Sequence, residues 1–155
     1  MPEWAEVALR IVHVLAAAVW IGGTVILVFV AVPYARSLTG ELRAQALAAL
    51  GRGWRPLGWG ALGVLLATGL PLARSEWDGG AFAAVFAVKI SLVVLLAGGA
   101  YLHDFVLGPG LARKLRENAA DAAQSRRTLV LVGWMNFALT LIVPALGIVL
   151  VELGS

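Results

Sequence analysis

The sequence predicts an all-α fold, an integral membrane four-helix bundle, and three observations carry that prediction. Of the 155 residues, 61% are hydrophobic and 14% charged, and the mean hydropathy is +0.90, far from the composition of a soluble domain. Four apolar segments, about 4–34, 57–73, 81–107 and 128–151, each have the length needed to cross a hydrocarbon core of about 30 Å. Nine of the twelve Lys and Arg residues fall in two short loops between these segments. The whole chain, 1–155, reads as one four-span transmembrane domain whose first partner is the lipid bilayer.

The first span, Trp4 to Tyr34, has Arg10 and His13 as its only basic side chains and contains the run Trp20-Ile21-Gly22-Gly23. No basic region precedes it, since the first charges are Glu3 and Glu6, so it reads as a retained span and not as a cleaved signal peptide. The second span is the shortest. Pro56 reads as a first-turn residue that opens it, and Pro71 as the residue near which it closes. The third span carries Lys89 and ends at the Gly108-Pro109-Gly110 break. The fourth contains Met135 and Asn136, and the amide reads as interhelical glue. Spans one and three resemble each other weakly: each carries a basic residue near one third of its length and leads into a basic loop, as in a duplicated helical hairpin.

The loops set the orientation. Arg36, Arg43, Arg52 and Arg55 follow span one, and Arg113, Lys114, Arg116, Arg126 and Arg127 separate spans three and four. By the positive-inside rule both loops are cytoplasmic and the arrangement is N-out/C-out, multi-pass in the inner (plasma) membrane. Leu42, Ala46, Leu47 and Leu50 share a helical face within Thr39–Leu50, as do Leu111, Leu115, Ala119 and Ala122. Short interfacial helices in the two cytoplasmic loops are expected, or ordinary loop helices. The positive charge is spent on topology, so nucleic acid is excluded as a partner. The absence of cysteine excludes disulfides, thiolate metal sites and thiol redox chemistry.

An imidazole inside a span has no water to satisfy it and must meet a partner helix, a cavity or a cofactor. His13 lies nine residues past Trp4 and Lys89 eight past Ala81, so both sit roughly 12–14 Å deep at 1.5 Å per residue. Two basic side chains at one depth suit the axial positions of a haem iron, one as imidazole and one as a deprotonated amine. Alternatively His13 is a core histidine on a backbone carbonyl, and Lys89 snorkels to the interface or pairs with Glu76 or Asp78. His103 follows Lys89 by fourteen residues, about 21 Å further in, too far to share one iron with His13 within a chain. It reads as a ligand to a second cofactor or across a homodimer, or as an interfacial histidine paired with Asp104. Arg10 and Arg74 stand where guanidinium groups would meet haem propionates, or are interfacial anchors of the kind Trp4 and Trp77 provide. Ala16, Ala17, Gly22 and Gly23 on span one and Ala97, Gly98, Gly99 and Ala100 on span three are small faces for a macrocycle or a close helix.

At His13-x6-Trp20-Ile21-Gly22-Gly23, Lys89-Ile90-Ser91-Leu92 and Leu102-His103-Asp104-Phe105-Val106-Leu107-Gly108-Pro109, the chain resembles the CopD family of membrane proteins, named for copper resistance. In layout it is also similar to the haem-binding protoporphyrinogen oxidases of the HemJ type, which carry a first-helix His and a third-helix Lys. Where that type continues its first helix with a Leu-Pro-Arg-Leu-Phe-Val-Tyr-His-like run, this chain reads Val28-Phe29-Val30-Ala31-Val32-Pro33-Tyr34 and has no second His. The resemblance implies haem b, with His13 and Lys89 at the ligand positions and His103 in the His-Asp-Phe segment. It implies a redox protein, an electron carrier or a membrane oxidoreductase, exchanging electrons with a quinone, a porphyrinogen-like substrate or another redox protein. The CopD name implies instead copper transport or homeostasis, which needs several imidazole or soft ligands along a path.

Overall fold

A computed structural model describes residues 2–75, 80–117 and 120–153, and every described element is helical. The first span is α1 (Glu3–Ile26), a π-helical segment (Leu27–Ala31) and α2 (Val32–Ser37); α3 runs Gly40–Ser75. The third span is α4 (Gly80–Tyr101), a second π-helical segment (Leu102–Leu107) and α5 (Gly108–Arg116); α6 runs Ala122–Leu153. All four helical rods are long and apolar enough to cross a membrane. The chain is a multi-pass membrane protein by length and composition, and its many exposed Val, Leu, Ile and Phe side chains face what would be lipid.

Helix α1 packs chiefly on α3, and α4 on α6, which makes two antiparallel hairpins. They are joined where Trp20 of α1 donates its Nε1–H to Thr140 Oγ1 of α6 at 3.1 Å. Around this buried bond lies the core of Trp20, Ala61, Leu62, Leu96, Ala100 and Leu139. A second cluster, Ala73, Phe82 and Leu150, closes the end that carries both termini. Below, this end is called the terminal end and the opposite one the basic-loop end.

The prolines do not break the rods as the sequence reading expected. Pro56 and Pro71 both lie inside α3, because that helix begins at Gly40, whose φ of +55° makes the corner after α2. Thr39–Leu50 is therefore helical from Gly40 on but continuous with the second span. At the Gly108-Pro109-Gly110 sequence the helix likewise continues. Gly108 N–H reaches back five residues to the His103 carbonyl, and Val32 N–H does the same to Leu27. Each wide turn stands one residue before a proline. It gives room to the ring that would strike the carbonyl four residues back. Of the face expected in the second loop, Leu111 and Leu115 lie on α5 and Ala122 opens α6, while Ala119 lies outside the described residues. Lys114 bridges α5 to α6 through Asp121 and Ser125, the latter at 2.9 Å.

Candidate functional site

The register of the bundle can be read from side chains. Trp20 meets Thr140; His13 is seven residues before Trp20 and Gly147 seven after Thr140, so in antiparallel helices they stand level, two turns toward the terminal end. Lys89 occupies that same level. A Cβ at Gly147 would lie 3.1 Å from Lys89 Nζ and 3.9 Å from its Cε. Three helices thus bring His13 and Lys89 to one depth.

His13 is half-buried against α3. Its Nδ1 and Thr68 Oγ1 are 2.8 Å apart, and a Cβ at Gly69 would lie 3.1 Å from His13 Cε1. The Thr68 hydroxyl donates its own proton to the Val64 carbonyl at 2.7 Å, so toward His13 it is an acceptor. Nδ1 then carries the hydrogen, and in the neutral ring the lone pair is left on Nε2. Neither Thr68 nor the two glycines was singled out in the sequence. Thr68 had a signal, since it is the one hydroxyl residue of the 57–73 span.

Arg10 and Arg74 both lie on the terminal side of this level, Arg10 three residues before His13 and Arg74 five past Gly69. Arg10 Nη2 donates to Glu6 Oε1 at 2.8 Å, and Arg74 is exposed in the last turn of α3. Glu76, Trp77 and Asp78, weighed as partners of Lys89 or as an anchor, lie outside the described residues.

His103 lies apart from His13 and Lys89, near the basic-loop end. Its Nε2 and Cδ2 pack beside Gly133, whose Cβ would lie 3.6 and 3.7 Å away. Gly133 is fourteen residues from Gly147 along α6, about 21 Å. The Asn136 amide, read as glue, rests on Gly99, but its Oδ1 is buried without a donor. The glycine offers it no polar group. Among the described residues no three or more His, Asp or Glu side chains assemble into a metal-binding group.

The two hairpins repeat. His13 and Lys89, Gly22 and Gly98, Gly23 and Gly99, Phe29 and Phe105, Val30 and Val106, and Pro33 and Pro109 are all 76 residues apart. Structure follows the same offset. Each pair of glycines presents its second member to the facing helix, Gly23 to Trp54 and Gly99 to Asn136, while Gly22 and Gly98 have open space. Each first helix ends in a wide turn before its proline, and each basic residue rests on a glycine of the following helix. His13 and Lys89 are equivalent positions of this repeat. Compared with protein-family models, curated proteins and solved structures, the chain gives no match.

Proposed function

We propose that the chain is a haem b-binding redox protein of the inner membrane, in which His13 and Lys89 are the side chains that would hold the haem iron, with both basic loops in the cytoplasm. The observation that carries this reading is the common level of His13 and Lys89, each seated on a glycine of the next helix. The donor set fits. Thr68 holds His13 Nδ1, which leaves Nε2 for iron, the arrangement that fixes a ligating imidazole's tautomer and ring orientation. Lys89 supplies a compact amine, a ligand once neutral. Gly69 and Gly147 let His13 and Lys89 lie close against α3 and α6, where a Cβ would stand 3.1 Å from either side chain.

When bound, haem supplies one-electron chemistry with a potential set by its axial ligands and surroundings. The protein's residues bind, orient and insulate. Trp20, Leu62, Leu96 and Leu139 form a buried apolar cluster on the basic-loop side of this level, and Arg10, which also bonds Glu6, and Arg74 are the terminal-side cations that would meet propionates. The resemblance to the HemJ type supports the same ligand pair. The charge count of the loops supports the orientation.

Substituting Lys89 tests the pair. Lys89→Met replaces the amine by a thioether, which raises the reduction potential of a haem it touches, and Lys89→Ala removes the donor altogether. An unchanged spectrum and potential in both variants would remove Lys89 as a ligand.

A further inference from the structure

A groove opens between the first two spans toward the basic-loop end. Leu27, Ala31 and Ala35 of the first span line it from one side and Ala46, Gly53 and Trp54 of α3 from the other, around a volume of about 620 Å³. The lining contains no charged residue, and its one hydroxyl is that of Tyr34. The space persists because small residues stand on both walls; a Cβ at Gly53 would meet nothing within 4 Å. Trp54, lying over Gly23, closes the end nearer the bundle centre. Ile26, Tyr34 and Leu57 of the lining are exposed, so the groove is open along its side.

Length and place select what fills it. On the first span the lining runs from Gly23 to Ala35, twelve residues and about 18 Å at 1.5 Å per residue, close to one leaflet of a hydrocarbon core about 30 Å thick. At that depth water finds no set of polar partners in the groove, and an empty groove would forfeit the contacts of its walls. A hydrocarbon chain of the adjacent leaflet meets both conditions. Where the groove ends, the charge is positive. Arg36 follows Ala35 directly and is exposed. Arg43, three residues before Ala46, is exposed as well, and its Nε donates to the Leu38 carbonyl at 2.8 Å. That bond holds the guanidinium at the corner between α2 and α3 and leaves its two terminal NH2 groups without an acceptor among the described residues. Glu41, the one carboxylate of residues 27–75, accepts from Gln45 Nε2 at 3.0 Å instead.

We infer that the groove is a binding site for an anionic phospholipid of the leaflet on the basic-loop side. One acyl chain lies in the groove with its methyl end toward Trp54, and the phosphate accepts hydrogen bonds from the NH2 groups of Arg43. The second chain stays in the bilayer. Guanidinium groups suit phosphate because their paired N–H bonds match its oxygens, and each arginine at the surface favours an anionic over a zwitterionic headgroup by roughly 5-fold. A second copy of this chain, inserted the same way, would bring its own arginines to the same level and set like charges together. The site lies in the first hairpin alone and does not depend on the haem reading.

The test is native mass spectrometry of the protein stripped of lipid in detergent and titrated with palmitoyl-oleoyl phosphatidylglycerol or with phosphatidylcholine of the same chains. One tightly held phosphatidylglycerol per chain is expected, with phosphatidylcholine held about 5- to 25-fold more weakly for two arginines. Gly53→Leu puts a side chain into the open space and improves helix propensity, so it keeps the fold. It should weaken phosphatidylglycerol roughly 10-fold or more, because it takes the place of several methylenes worth about 4-fold each. Arg43→Gln should remove roughly 5-fold of the preference for phosphatidylglycerol and leave phosphatidylcholine unchanged. Gly22→Leu, a like change at an open position outside the groove, should alter neither lipid. Equal affinity for the two lipids, or phosphatidylglycerol held undiminished by Gly53→Leu, would overturn the assignment. A lipid-free dimer that Gly53→Leu dissociates would overturn it too and give the groove to a second copy of the chain.

Discussion

Gly22 and Gly23 are neighbours that the structure treats differently, and replacing each by Ala isolates one packing contact. At Gly22 a Cβ meets nothing within 4 Å. The substitution there only trades Gly for a better helix former, worth about 1 kcal/mol. At Gly23 the new methyl would fall inside the van der Waals envelope of Trp54, its most distant close neighbour being Cε3 at 3.2 Å, where carbon pairs prefer about 3.5–4.0 Å. Trp54 is blocked on two sides. Its ring is 6.1 Å, centroid to centroid, from Trp20 and already lies over Gly58, whose own Cβ would be 2.9 Å from it. The strain therefore falls on the α1–α3 contact, and overpacking of this kind costs about 1–3 kcal/mol. Because propensity is common to both variants, Gly23→Ala should be less stable than Gly22→Ala by that amount. Thermal unfolding in detergent reads it as a gap of several degrees, about 2–4 °C per kcal/mol at this chain length. Gly99→Ala against Gly98→Ala repeats the experiment in the second hairpin, with Asn136 and Met135 as the obstructing groups. Equal melting of the two members of either pair would refute the packing described for that hairpin.

Thr68→Val removes the acceptor of His13 Nδ1 and should weaken haem retention about 10- to 100-fold, while Thr68→Ser keeps the hydroxyl and should restore it; equal retention in both would show that Thr68 does not orient the ring. Reporter fusions at Gly51 and Gln124 should both read cytoplasmic, and an external reading at either reverses the orientation. The hydrogen bond from Lys114 holds the Asp121 carboxyl below the ordinary carboxylate range. Its contribution to the α5–α6 connection is thus fully present above that range and is lost as pH falls through the lower value. Protection of the amides around Ser125, each exchange rate being divided by its intrinsic rate at the same pH, should be the same at pH 7 and pH 5 and fall only in more acid solution, and Asp121→Asn should abolish the fall; a loss of protection in acid that survives in Asp121→Asn would assign it to another group.

The four helical rods were legible because a bilayer reduces the problem to length and hydropathy. Counting at 1.5 Å per residue was enough to set His13 and Lys89 at one level and His103 apart, and the structure has the same separation in the spacing of Gly147 and Gly133. What counting missed is carried by groups with no chemistry of their own. Gly69 and Gly147 matter for the side chain they lack, which only the facing helix reveals. Thr68 matters through a hydrogen bond across two helices. Pro56 and Pro109 were read as boundaries because proline ends helices in water; inside a packed bundle, wide turns and neighbouring helices absorb it. The 76-residue repeat was visible in the sequence, but identities of Gly, Phe, Val and Pro are weak evidence in so apolar a chain. They gain weight when the same offset relates two wide turns and two glycine contacts.

The central claim is that His13 holds a haem iron at the level it shares with Lys89. Its most direct test is the visible spectrum of the protein purified in detergent from cells supplied with ample haem, beside that of His13→Ala purified in the same way. The account predicts a Soret band in the first and its loss or sharp reduction in the second, with both proteins eluting as folded species. A first protein without a Soret band, or a His13→Ala variant with full haem and an unchanged spectrum, would contradict it.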